Sequence, residues 1–300
     1  VVMQSIATGT ELLLSSKPYS AVVFDEFVEV KMDGPNGDET VHCKLLCGAD
    51  GAHSWVRRNF RMGNPRETMI GFQIEVTGYN GDSGMLDMYT GKNIAPGFFS
   101  WAIPTGDTTR VGTWTKSELM NGLSSEQYLD RLLQDQKINS RFEQCSEVAR
   151  FCGPVPSGVV RKPLIERVAL FGDSAGVCKP TTGGGIGPGF KQVDLLVPRL
   201  SKCMENNELS RGTMKSISAL LKEMARNQRK KRALRDAFLT EMSDYELEKI
   251  FDVWAKPEVT DLINEFGDIE NPIPLGIKML REVPEFRRLA GRAAKAVLWG

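Results

Sequence analysis

The chain has 300 residues, 41% of them hydrophobic and 25% charged, with 38 basic against 38 acidic side chains and a formal net charge of zero. That length suits one large domain or two intimate ones, and the balanced charge excludes the basic excess of a nucleic-acid binder. No run of about 18 apolar residues is present, which argues against a transmembrane helix.

The start, Val1-Val-Met-Gln-Ser5, has no basic region ahead of a long apolar stretch, so it does not read as a signal peptide. It also lacks an initiator Met and enters directly into an apolar pattern, which reads as a truncation or an incomplete gene. Residues 1–15 look like the tail of a helix. Ala21–Phe24 and Phe27–Met32 alternate like strands, and Asp33-Gly-Pro-Asn-Gly-Asp38 is a dense turn signal, so a hairpin is expected. Thr40–Cys47 reads as a third strand. It delivers Asp50-Gly51 to a turn, after which Ser54 or His53 can cap a short helix. Arg57 lies one turn into that helix, within reach of a phosphate or of Asp50.

Four short strand-like runs follow, Met69–Thr77, Gly84–Tyr89, Gly97–Ile103 and Arg110–Trp114, separated by Gly, Asn and Asp. They predict a mostly antiparallel sheet. Ser124-Ser-Glu126-Gln127 opens a capped helix. Val168–Phe171 is a continuous apolar run, as in a strand buried on both faces of a parallel sheet. Ligands on such sheets bind beyond the carboxyl ends of strands, where Gly172-Asp173-Ser-Ala175-Gly176 stands. The Asp173 carboxylate suits a ribose or ribityl hydroxyl, and Ala175 and Gly176 leave room for close approach. Gly183, Gly184 and Gly185 permit backbone shapes that side chains forbid, and a helix begins at Ile186 with free N–H groups at its end. No G-x-G-x-x-G occurs anywhere, so the cofactor site reads as one half of a pair.

Beyond Pro198 the character changes. Residues 209–252 are charged and helical in period, and the basic run Arg226–Arg235 is expected to be a solvated helix face. Ile277–Trp299 reads as an amphipathic segment, either lying on a membrane surface or packed as a helix pair. The six cysteines are scattered without C-x-x-C, and no metal site is expected.

Gly48-Ala-Asp50-Gly51-Ala-His-Ser54-Trp-Val-Arg57 resembles the DG motif of FAD-dependent flavoproteins of the glutathione-reductase-like class, which includes the aromatic hydroxylases. Val168–Gly176 resembles their GD motif. Lys179-Pro-Thr-Thr-Gly-Gly-Gly-Ile186 looks most like the geranylgeranyl reductases within that class. Pro96-Gly-Phe-Phe99-Ser-Trp101-Ala-Ile-Pro104 is similar to that family's P-x-x-Y-x-W-x-F-P motif, which lines a lipid channel, with Phe99 in place of Tyr and Ile103 in place of Phe. Weaker likenesses lie in Met242–Leu247 and Phe266–Pro272.

The resemblance implies an α/β fold: an FAD-binding, three-layer Rossmann-type domain, incomplete at its N-terminus, with an antiparallel β substrate domain and a C-terminal helical region. Residues 1–68 and 151–200 would form the remainder of the FAD domain, 69–150 the substrate domain and 201–300 the helices. It implies cofactor contacts at Asp50, Gly51, Arg57, Gly172, Asp173, Ala175, Gly176, Gly184, Gly185 and Ile186, and substrate contacts at Pro96, Phe99, Trp101 and Pro104. The helix at Ile186 would face the N1/C2 edge of the flavin. The implied reaction is hydride transfer from reduced FAD to an isolated C=C of a prenyl lipid, with NAD(P)H or ferredoxin as reductant, in the cytoplasm or peripherally on a membrane. No proton donor is assigned; His53 reads as a cap and Cys178 as a weak candidate. The alternatives are an FAD-dependent monooxygenase and a non-catalytic family remnant acting as a binding protein. The family's first βαβ unit, with its G-x-G-x-x-G, is missing here, so this chain alone is expected to bind FAD poorly; micromolar or tighter binding in a titration would sink that expectation.

Overall fold

A computed structural model describes residues 1–268 and 271–289. They form two compact units: residues 1–65, 159–177 and 185–223 make the first, and residues 66–158, 178–184 and 224 onward the second.

In the first unit, helix α1 (Val2–Ala7) is shorter than the expected tail and precedes an antiparallel meander of β1 (Lys17–Val23), β2 (Val28–Gly34) and β3 (Gly37–Cys43). Val28, Val30 and Met32 alternate into its buried face. The single strand expected over Thr40–Cys47 is two. The chain bends at Lys44, leaves the meander, and forms β4 (Leu46–Gly48) in a second sheet. The split is enforced by Arg167, 2% exposed, whose guanidinium donates to the Lys44 carbonyl at 3.1 Å and also holds the Asp25 carbonyl and Asn207 Oδ1.

That second sheet has the order β10 (Leu164–Ile165), β11 (Val168–Leu170), β4. Strands β11 and β4 are parallel, with Val168, Ala169 and Leu170 opposite Leu46, Cys47 and Gly48. Helix α2 (Trp55–Asn59) follows β4. Helix α4 (Ile186–Glu205) runs straight through Pro198, which is therefore no boundary. It tolerates the proline because Gln192, Leu196 and Leu200 bury one continuous face. Helix α5 (Arg211–Ser218) packs by β10.

In the second unit, β5 (Glu67–Thr77), β6 (Asp87–Tyr89), β7 (Ser100–Pro104), β8 (Thr109–Lys116) and β9 (Ser146–Ser157) make an antiparallel sheet ordered β6-β7-β8-β5-β9. The first four match the expected runs. The fifth, β9, was concealed by Pro154, Pro156 and Gly153; prolines are tolerated there because β9 is an edge. One face of the sheet carries Phe72, Ile74, Ala102 and Val111 against Leu129 and Leu132 of helix α3 (Ser125–Leu133). Ser124 and Gln127 close the capping box of that helix.

Helix α6 (Lys222–Arg235) ends in a π-turn, Asp236–Thr240. Helices α7 (Asp244–Trp254), α8 (Pro257–Phe266), α9 (Ile273–Glu282) and α10 (Pro284–Leu289) follow. Val253, Val259, Met279, Val283 and Phe286 share one core, so the described part of the 277–299 segment is a packed helix pair. The remainder of that segment, and residues 269 and 270 of the Phe266–Pro272 match, lie outside the described residues. Among the described residues no helix is long and apolar enough to cross a membrane.

Candidate functional site

The parallel pairing of β4 with β11 sets two glycine-acid turns side by side at the carboxyl ends of adjacent strands. Gly51 follows β4 at φ +75° and Gly172 follows β11 at φ +62°, and a Cβ at either would meet nothing within 4 Å. Both backbones therefore face open space in a conformation that favours glycine. Asp173 lies half-buried in the single 3₁₀ turn Gly172–Ala175, which Gly176 closes in the left-handed region at φ +74°. Ala175 is fully buried and its carbonyl accepts from the Val160 amide, so it packs the turn from behind.

The two turns are held by side chains that face each other across 100 or more positions of sequence. Arg57, 7% exposed, donates from Nη1 to the Ser174 carbonyl at 2.9 Å and from Nη2 to the Ala52 carbonyl at 2.6 Å. It thus ties the Asp50-Gly51 turn to the Gly172-Asp173 turn, and its Nε is buried without a partner. Burial and the neighbouring Arg58 pull its pKa down, with the Asp50 carboxylate opposing them. Asp50 itself accepts from the Val56 amide at 3.0 Å, and Ser54 caps α2 through the Arg57 amide. His53 is exposed. Ser174 Oγ lies 2.5 Å from the Gly48 carbonyl, a further link between the two strands.

Gln192, with no exposed surface, was not expected from the sequence. Its Oε1 accepts from the Gly172 amide and its Nε2 donates to the Leu170 carbonyl, both at 2.9 Å, locking α4 to the end of β11. The first turn of α4 has no side-chain cap, so its amides stay free, and Ile186 is largely exposed.

The loop Lys179–Gly184 belongs to the second unit, and the chain re-enters the first at Gly185. The loop is closed by mutual hydrogen bonds, Gly183 amide to Lys179 carbonyl and Lys179 amide to Gly184 carbonyl, both 2.9 Å. The Lys179 stem covers Gly184. Thr181 Oγ1 is buried and without a hydrogen-bond partner.

That loop lies against an aromatic panel on the sheet face opposite α3. Trp101 pairs with Gly112 across β7 and β8, and Trp114 pairs with Gly71 across β8 and β5. Each indole lies over the glycine of the neighbouring strand: a Cβ would come within 2.4 Å of Trp101 at Gly112 and 2.0 Å of Trp114 at Gly71. The two indoles are 5.4 Å apart, and Phe99 meets Trp101 edge-on at 6.1 Å. Trp101 Nε1 donates to Gln73 Oε1 at 3.3 Å. Gly183, at φ +72°, would place a Cβ 3.4 Å from Trp114. Pro96 is buried and Pro104 ends β7. Trp114 had no assigned role in the sequence; its alternation with Gly112 on β8 was the available signal.

Within the first unit the donor set fits an FAD: open glycine turns on parallel strands, an acid at the strand end and an uncapped helix. The FAD binding domain family matches residues 24–209. The digeranylgeranylglycerophospholipid reductase of Methanocaldococcus jannaschii is 26% identical over 71% of this chain and 56% of its own length. A geranylgeranyl bacteriochlorophyll reductase-like protein of Thermoplasma acidophilum has a crystal structure that superposes with a TM-score of 0.80 at 20% identity, over 97% of this chain and 72% of that one. An anhydrotetracycline hydroxylase of Streptomyces rimosus shares the fold at a TM-score of 0.60 and 17% identity, over 98% of this chain and 54% of its own. The chain spans 45 to 62% of the length of three curated relatives it matches.

Proposed function

This chain belongs to the FAD binding domain family, and we propose that it reduces isolated C=C bonds in geranylgeranyl chains of lipids or their precursors. The observation that carries this reading is the aromatic panel of Phe99, Trp101 and Trp114 with the Gly183 loop laid against it. An isolated alkene offers no polar handle, so a site for it must grip by area and shape, and flat rings over glycine supply both.

FAD in its reduced form would supply a hydride to one alkene carbon, and a proton drawn ultimately from solvent would complete the other. Asp173 would accept hydrogen bonds from the hydroxyl-bearing chain of that cofactor, while Gly51 and Gly172 would admit the chain to the backbone. The amides of α4 at Gly185 and Ile186 would favour its negative edge. Gly176, which closes the Gly172–Ala175 turn at φ +74°, would let that backbone approach the cofactor closely. Phe99, Trp101 and Trp114 exclude water from the alkene, and Pro96 and Pro104 fix the ends of that segment. Arg57 orders the two turns that would hold the cofactor. NAD(P)H or ferredoxin would serve as reductant, and a substrate of this kind would bring the protein to a membrane surface.

Anaerobic incubation of the protein with FAD, a chemical reductant and digeranylgeranylglycerophospholipid tests the proposal by product mass. Gains of two hydrogens per double bond are expected. A product that forms only with O₂ and gains oxygen defeats the reading in favour of a monooxygenase.

A further inference from the structure

The basic run in α6 does not end on solvent. Arg232 and Arg235 turn inward onto Glu67, the first residue of β5. The side chains of Arg235 and Glu67 are 1% and 5% exposed. Arg235 grips Glu67 with two bonds, Nη1 to Oε1 at 3.0 Å and Nη2 to Oε2 at 2.8 Å. Asp236, the first residue of the π-turn, accepts from Arg235 Nη2 at 2.7 Å and faces Lys116 at 3.4 Å. The guanidinium also donates from Nε to Asp236 Oδ1 at 3.1 Å, from Nη1 to Met69 Sδ at 3.7 Å and from Nη1 to the carbonyl of Pro180 at 2.8 Å, and it lies over the ring of Phe98 at 5.4 Å. Neighbouring bonds serve the same stretch of chain: Gln228 Nε2 and Ser157 Oγ both donate to the Cys178 carbonyl, at 2.9 and 3.0 Å, and Arg232 Nη2 reaches Ser157 at 3.3 Å.

We propose that Arg235 is a positioning residue that anchors the Lys179–Gly184 loop on the aromatic sheet. One guanidinium joins β5 through Glu67, the loop through Pro180, and the Pro96–Pro104 segment through Phe98. Two carboxylates fix its orientation, so the bond to Pro180 comes from a donor that cannot rotate away. The loop's own two closing bonds hold its shape but not its place; Arg235, Gln228 and Ser157 supply the place. A π-turn at the end of α6 suits this role, because the extra residue swings Arg235 and Asp236 onto one focus. The proposal rests on the reading of Lys179–Ile186 as the cofactor loop.

The test compares wild type with Arg235→Lys and with the pair Glu67→Leu plus Arg235→Met, which refills the volume with apolar side chains and keeps the fold where Arg235→Ala would not. Amide hydrogen exchange is followed by mass spectrometry without cofactor, and FAD affinity is measured by fluorescence titration. Both variants are expected to exchange the 178–185 peptide about tenfold faster or more, with peptides from β6 and α3 unchanged, and to bind FAD about tenfold more weakly. Unchanged loop exchange overturns the anchor. A loosened loop with unchanged FAD affinity overturns its role toward the cofactor. Failure of the underlying reading shows differently, as wild-type protein whose 178–185 peptide gains no protection when FAD binds.

Discussion

Glu67 is a carboxylate sunk between two arginines, and its energetics can be read at the level of one residue. Burial alone would raise its pKa, but the bonds and charges of Arg235 and Arg232 outweigh that and hold it below the ordinary carboxylate value. A depressed folded value adds stability that is complete above the unfolded value, about 4.3, and lost as pH falls through the folded one. Glu67→Gln should therefore cost about 3–5 kcal/mol at pH 7, by leaving Arg235 short of a counter-charge. It should also flatten the fall in stability as pH drops below about 4.3; denaturant unfolding from pH 7 into the acid range checks both. Arg57→Met removes two charge-assisted bonds between the glycine-acid turns, and unfolding should show a loss of about 3 kcal/mol with weakened FAD binding. Gln192→Leu strands the Gly172 amide and the Leu170 carbonyl, with a similar cost of about 3 kcal/mol in the same assay.

At the scale of elements, the sheet of the second unit stands on tryptophan laid over glycine. Gly71→Ala puts a methyl into the Trp114 ring, so it should lose about 1–3 kcal/mol and shift tryptophan emission to the red. Gly153→Ala enters open space and should change neither, which makes it the control. The short strands of this sheet were legible because alternation survives when one face is a core. Its fifth strand was not, since an edge carries prolines that deny the pattern. Strand β4 was hidden for a different reason: Cys43 and Leu46 both look like strand residues, and only Arg167, a residue distant in sequence, forces the break at Lys44. The α6 run misled in the same way. Charge pattern reads as solvent exposure until a buried partner such as Glu67 is known.

Across the whole molecule, what sequence could show was local chemistry joined by order. Asp50-Gly51 and Gly172-Asp173 announced themselves as turns after strands, and their parallel adjacency followed from the fold class. Arg57 was legible beside Asp50 but its partner Ser174 was not; Gln192, Trp114 and Arg235 were beyond reach, since each acts through a partner elsewhere in the chain: Gly172, Gly71 and Glu67. In the proposed reaction a prenyl double bond, not oxygen, takes the electrons of the reduced flavin. Stopped-flow absorbance of the flavin in anaerobic, fully reduced protein mixed with geranylgeranyl lipid tests it most directly. Flavin reoxidation without O₂ is expected, at a rate that rises and saturates with lipid concentration. A flavin that stays reduced under lipid and reoxidises only when O₂ is admitted would contradict it.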